Sequence, residues 1–168
     1  VYMCPKDRAS NAVVSEFDIS NNLALPFFKK HSRFSFLRAK SLSQNAKNSI
    51  SELGIVCQSE VDSVTTLSGG NQQKVMVGRW LAEESSVLLL DEPFQGVDIK
   101  ARRDIGIQIR STSSQRATLI FVAELDEALE IADRVIVLHE GNLVGEYQNK
   151  SKNIPEIVSS FSGSNYQQ

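Results

Sequence analysis

Two stretches constrain this chain more than all the rest. The first is Leu67-Ser68-Gly69-Gly70-Asn71-Gln72-Gln73-Lys74-Val75-Met76, and the second, shortly downstream, is Val87-Leu88-Leu89-Leu90-Asp91-Glu92-Pro93. A Ser-Gly-Gly turn at a helix start points backbone N–H groups outward, which suits a phosphate. An apolar run ending in Asp-Glu reads as a parallel strand buried on both faces. It delivers two carboxylates to a sheet edge, where magnesium and an attacking water can be handled.

Around these motifs the chain alternates helix and strand. Val1 to Cys4 reads as a short strand stopped by Pro5, with a second possible strand at Ala12 to Val14. Leu23 to Asp62 shows no strand alternation and reads as helical. Its Phe27-Phe28 and Phe34 to Leu37 are assigned to core packing, and its helix over Lys40 to Leu53 ends at Gly54. Asn71 to Glu83 forms a helix with Val77, Trp80 and Leu81 on one face. Ile99 to Arg110 and Leu125 to Ala132 are helices, and Thr118 to Val122 is a strand. Arg134 to Leu138 and Leu143 to Tyr147 flank Glu140-Gly141-Asn142 as a closing hairpin. The polar tail holds one short helix near Ile154 to Phe161.

Composition narrows the partners. At 168 residues, 41% hydrophobic and 23% charged, the chain suits one globular domain with a real core. A net charge of −2 speaks against bulk nucleic-acid binding. Cys4 and Cys57 form neither a metal spacing nor a disulfide framework, so reduced thiols are expected. No apolar run is long enough to span a membrane, and no signal peptide is recognised. The chain opens on Val1 directly into a strand, as expected of a piece of a longer protein.

The first motif resembles the signature loop of ATP-binding cassette (ABC) ATPases, and the second resembles their Walker B strand. Further segments narrow the resemblance to the second cassette of bacterial sugar-importer ATPases of the ribose, galactose, xylose and autoinducer-2 type. They are Cys4-Pro5-Lys6-Asp7-Arg8, Asn21-Asn22-Leu23-Ala24-Leu25-Pro26, Phe94-Gln95-Gly96-Val97-Asp98 and Val122-Ala123-Glu124-Leu125. The resemblance implies an α/β fold: a partial P-loop NTPase-like ABC domain with its helical subdomain and the C-terminal half of the parallel sheet. Residues 1–22 would hold a strand and the metal-sensing loop, 23–65 the helical subdomain, 66–148 the core with signature and Walker B, and 149–168 a polar tail.

By the same resemblance, Ser68, Gly69, Gly70 and Asn71 would contact the γ-phosphate of an ATP held by another cassette, fused or in trans. Asp91 would bind Mg2+, Glu92 would orient or deprotonate the hydrolytic water, and Asp98 would speak across the cassette dimer. Local readings stand beside these: Ser68 and Asp98 are also good helix N-caps. The helical subdomain would dock on a membrane permease at the cytoplasmic face of the inner membrane, served indirectly by a periplasmic solute-binding protein. Nucleic acid is not an expected partner.

Three departures weigh on activity. Lys6 stands where cassettes carry a glutamine and sugar-importer second cassettes carry Glu, and a charged lysine cannot ligate magnesium. Ala123 stands where active cassettes carry a phosphate-gripping histidine, and it has no donor. The chain contains no G-x-x-x-x-G-K-[ST] phosphate loop. The expected activity is therefore ATP-driven import of a sugar or sugar-like solute by the longer protein. The alternative is a catalytically silent cassette that only dimerises or regulates.

Overall fold

The computed structural model describes residues 1–6, 13–33 and 36–162. They form two compact units, Val1–Phe121 and Val122 onward. The sequence expectations at Ala12, Phe34, Asp7 and Arg8 lie outside the described residues, and Val13 and Val14 are not in a strand.

The first unit is built on a three-stranded parallel sheet ordered β1-β4-β5: Tyr2–Cys4, Val87–Asp91 and Ala117–Phe121. Helices α1 (Ile19–Ala24), α2 (Ala39–Leu53), α3 (Gly69–Leu81) and α4 (Ile99–Ser111) complete it. The central strand is not buried equally on both faces, as a continuous apolar run suggested. Leu88 and Leu90 are fully buried, while Val87 and Leu89 are only half-buried. Register aligns Met3, Leu89 and Leu119 on that second face. Met3 is 52% exposed and Leu119 43%, so that face of the sheet is open and apolar.

The segment expected to be helical is so only over residues 23–27 and 39–53; residues 55–62 are irregular, and a hairpin stands between the two helical parts. Ser32–Arg33 (β2) and Phe36–Leu37 (β3) pair as a small antiparallel hairpin. Phe36 is 79% exposed and Leu37 is also exposed, so neither is core. Strands of two residues are too short to show an alternation, which is why the pattern hid them. Phe27 does pack inward, with its ring centroid 5.2 Å from Tyr2 and 5.9 Å from Trp80. Helix α2 ends where glycine permits it: Gly54 takes the left-handed conformation, φ 58°, and its N–H closes the last turn.

Between α2 and α3 lies a core of Ile19, Leu23, Ala46, Leu53, Ile55, Val64, Leu67 and Val75. Its polar edge is stitched by Asn22, fully buried, which accepts from the Val14 N–H and donates to the carbonyls of Val14, Phe17 and Asp18. Buried Arg79 then donates to the Asn22 carbonyl at 2.7 Å.

The second unit holds α5 (Leu125–Ile131), the hairpin β6–β7 (Arg134–His139 and Asn142–Gln148) and α6 (Ile154–Phe161). The hairpin turns through Glu140 and Gly141, both at positive φ, as a two-residue connection of matching twist requires. Ile157 of the otherwise polar tail is fully buried against Val135 and Val137. Asn149 donates to the Leu129 and Ala132 carbonyls, each at 2.8 Å, and so caps the end of α5.

Cys4 lies buried beneath α3, with its thiol directed at the Met76 carbonyl. Burial pushes that thiol up from an ordinary 9.0 to about 12. In this window the unfolded chain releases a proton that the folded chain retains, so stability falls as pH rises. The slope contributed by one such thiol is at most about 1.4 kcal/mol per pH unit. Denaturant unfolding from pH 9 upward should therefore fall more steeply for the wild type than for Cys4→Ala. Equal slopes would place the thiol in contact with solvent.

Candidate nucleotide-facing site

The Ser-Gly-Gly turn opens α3. Ser68 is extended and exposed, and its Oγ accepts from the Asn71 N–H at 3.4 Å and the Asn71 side-chain amide at 3.0 Å. The local N-cap reading of Ser68 is thus realised. No acidic residue lies in the first turn of the helix itself, and the carboxylate that approaches its positive end is that of Asp98 at the start of α4. A Cβ placed on Gly70 would sit 3.2 Å from Ala101 Cβ and 3.9 Å from Asp98 Oδ2. A side chain here would crowd the first turn of α4, which would have to shift by a few tenths of an ångström.

The four polar residues that follow are spent inside the protein. Asn71 accepts from the Val56 N–H at 3.0 Å. Gln72 donates to the carbonyls of Val64 and Leu67. Gln73 is buried and donates to the Pro93 carbonyl at 2.8 Å. Lys74 donates to the Gly54 carbonyl at 3.0 Å and meets Asp104 at 2.6 Å. The sequence reading treated Gln72, Gln73 and Lys74 as marks of a motif and missed this role. Their signal was available as a polar run on a helix otherwise packed with apolar residues.

Asp98 brings α4 into the site. Its carboxylate accepts from the Ala101 N–H at 2.8 Å, and its carbonyl accepts from the Arg102 N–H. It is an N-cap, and it also stands beside the Ser68–Asn71 turn through the Gly70 contact.

Asp91 and Glu92 stand at the end of β4, both half-buried. With no other described residue does either carboxylate form a hydrogen bond or ion pair. Two uncommitted acidic groups at a parallel strand end fit a hydrated divalent cation and a water. Glu92 is also strained: its φ is 48°, a left-handed conformation unusual for a residue with a Cβ. The Glu92 N–H donates to the Phe121 carbonyl at 2.9 Å, and its own carbonyl accepts from Gln95. These two bonds hold the turn in that conformation. Nothing in the sequence announced it, because a residue before proline is normally extended.

Lys6 is exposed just beyond β1, and because Cys4 is level with Leu90 it leaves the sheet at the Asp91 end. Ala123 lies exposed in the bend after β5, within the second unit. His31 is buried and holds Ser41 Oγ at 2.9 Å through Nδ1. His139 is exposed at the hairpin end. Among the described residues no cluster of His, Cys, Asp and Glu is arranged as a closed metal cage.

The strain at Glu92 is measurable. Glu92→Ala retains a Cβ in the left-handed conformation and Glu92→Gly does not, so the glycine variant should be the more stable by about 1 kcal/mol in urea unfolding. Equal stability would show that the turn relaxes.

Comparison with known proteins agrees with this geometry. The arabinose import ATP-binding protein AraG of Pectobacterium atrosepticum is 34% identical over 95% of this chain and 32% of its own length. The ribose import ATP-binding protein RbsA 2 of Rubrobacter xylanophilus is 34% identical over 97% and 32%. The xylose import ATP-binding protein XylG of Thermoanaerobacter pseudethanolicus is 35% identical over 84% and 28%. The chain thus spans about a third of the length of these relatives. Among solved structures, a dimeric structure of the bacterial ABC transporter cassette MJ0796 matches with a TM-score of 0.74, covering 89% of this chain and 62% of that one at 18% identity. A second MJ0796 dimer, a post-hydrolysis state bound to ADP and Pi, matches at 0.72. These establish the fold as part of an ATP-binding cassette. A sequence profile of the ABC transporter family matches residues 4–95, more than half of the chain and both motifs with it, and the chain belongs to that family.

Proposed function

We propose that this chain is the signature- and Walker B-bearing part of an ATP-binding subunit that drives import of a sugar or sugar-like solute. The observation that carries the reading is the juxtaposition of the Ser68–Asn71 turn, with Ser68 exposed at its head, and Asp98, on a chain whose relatives are sugar import ATP-binding proteins. The turn would present its N–H groups and Ser68 Oγ to the γ-phosphate of an ATP seated on a second cassette, with Asp98 beside it. Asp91 would hold Mg2+, which neutralises phosphate charge when bound, and Glu92 would orient the attacking water. The helical segment around α2 would dock on a permease at the cytoplasmic face of the inner membrane, and a periplasmic solute-binding protein would set the solute. No helix among the described residues is long and apolar enough to cross a membrane, which suits a peripheral subunit.

The two halves of this apparatus serve different ATP sites. The signature turn completes the partner's site, whereas Glu92 serves the site on its own cassette. By the family resemblance, Ala123 stands where cassettes carry the phosphate-gripping histidine, and an alanine has no donor. The subunit is therefore asymmetric: it lends Ser68–Asn71 to a competent partner and hydrolyses little itself. Ala123 also favours a second reading, a silent cassette that only dimerises.

The test is ATP hydrolysis by the native-length polypeptide with its permease. Ser68→Arg should lower kcat by about a hundredfold, as loss of a charge-stabilising donor does, and Glu92→Gln much less. A greater loss from Glu92→Gln overturns the asymmetry. ATP-dependent dimerisation without hydrolysis in the wild type supports the silent reading instead.

A further inference from the structure

Lys74 is a cation with its side chain only 5% exposed, on the second turn of α3. Its ammonium lies 2.6 Å from Asp104 Oδ2 on α4 and 3.0 Å from the carbonyl of Gly54, the left-handed cap of α2. A cation over a helix C-terminus satisfies carbonyls that the helix leaves free. Gln108 of α4 does the same for Glu52. The end of α2 is thus held by one side chain from α3 and another from α4. Both charged groups lie beside Gly54: a Cβ there would be 3.8 Å from Lys74 Nζ and 3.9 Å from Asp104 Oδ2, in ordinary contact with each.

Helical geometry gives the pair its meaning. Residues three or four apart share a helix face. Lys74 follows Gly70 by four positions, and Asp104 follows Ala101 by three. Gly70 and Ala101 are where the first turns of α3 and α4 touch. The ion pair therefore lies one turn along the same two faces and spans the same gap. Ser68 and Asp98 cap the two helices on the other side of that contact.

We propose that Lys74 and Asp104 are a positioning pair that sets the separation of the Ser68–Asn71 turn from the Asp98 turn, and anchors both to the end of α2. In functional terms this rests on the reading that both turns face one ATP on a second cassette. Lys74 touches no nucleotide in this scheme. It acts by keeping α3 and α4 at one spacing, so that two loops meet a single ligand together.

The experiment is hydrogen exchange in the native-length polypeptide, resolved to peptides covering 67–72 and 98–102. Lys74→Met removes the charge at similar length, and Asp104→Asn is the milder variant should Lys74→Met not fold. Either should speed exchange in both peptides by about tenfold while β4 keeps its protection. Lys74→Arg should restore much of it. In ATP hydrolysis the same variants should lower kcat with little change in KM, whereas a purely stabilising role would lower the melting temperature and leave kcat per folded molecule unchanged. Unaltered exchange at both turns in folded Lys74→Met or Asp104→Asn overturns the proposal. A wild type that hydrolyses no ATP would defeat the functional reading, and the exchange comparison would still decide the pair.

Discussion

The first unit depends on the polar start of α3. Four consecutive side chains, Asn71 to Lys74, each satisfy a different piece of backbone: Val56, the Val64–Leu67 turn, Pro93 and Gly54. Successive helical residues are turned by about 100°, so four in a row reach nearly all round the axis. A buried carbonyl without a partner is costly, and the bond from buried Gln73 to the carbonyl of buried Pro93 is the case where that cost is largest. The far end is closed in the same way. Arg116, itself buried, donates to the carbonyls of Trp80 and Leu81. Helix α3 is therefore bonded at both ends and along its first turns, and the neighbouring segments take their places from it.

This arrangement separates two jobs within one motif. Ser68 is exposed, and Gly69 and Gly70 are half-buried behind it. Gln73 and Lys74 lie buried and hold the frame. Asn71 does both, since its amide bonds Ser68 on one side and Val56 on the other. Asp98 has a similar double character. Capping α4 fixes its carboxylate, and the same carboxylate stands close to Gly70. Glu92 is held differently, by a strained backbone and bonds to Phe121 and Gln95. Strain of this kind persists only where surrounding bonds over-determine it.

The sheet is asymmetric for a simple reason. Helix α3 packs against one face, which buries Cys4, Leu88 and Leu90 and leaves the thiol protonated well into the alkaline range. The opposite face carries Met3, Leu119 and Phe121 in partial contact with solvent. Apolar exposure on a sheet face is normally covered. The relatives are about three times as long as this chain, so they carry further residues beyond the part aligned here.

Features that depend on neighbours within a turn or two were legible in the sequence. Ser68 and Asp98 as N-caps, Gly54 as the end of α2, the Glu140-Gly141 turn and the Val87–Asp91 strand all follow from side chains acting on their own backbone. The two motifs likewise pointed to the family, by their resemblance to its signature loop and Walker B strand. What joins residues far apart along the chain was not legible. Lys74 meets Asp104 thirty positions away, and Gln73 meets Pro93 twenty away. The choice follows from which helix faces pack together, which no local pattern encodes. The left-handed Glu92, the exposed Phe36 and the buried Ile157 were decided in the same way. Of these, Glu92 conflicts with its local preference, and its bonds to Phe121 and Gln95 hold it there.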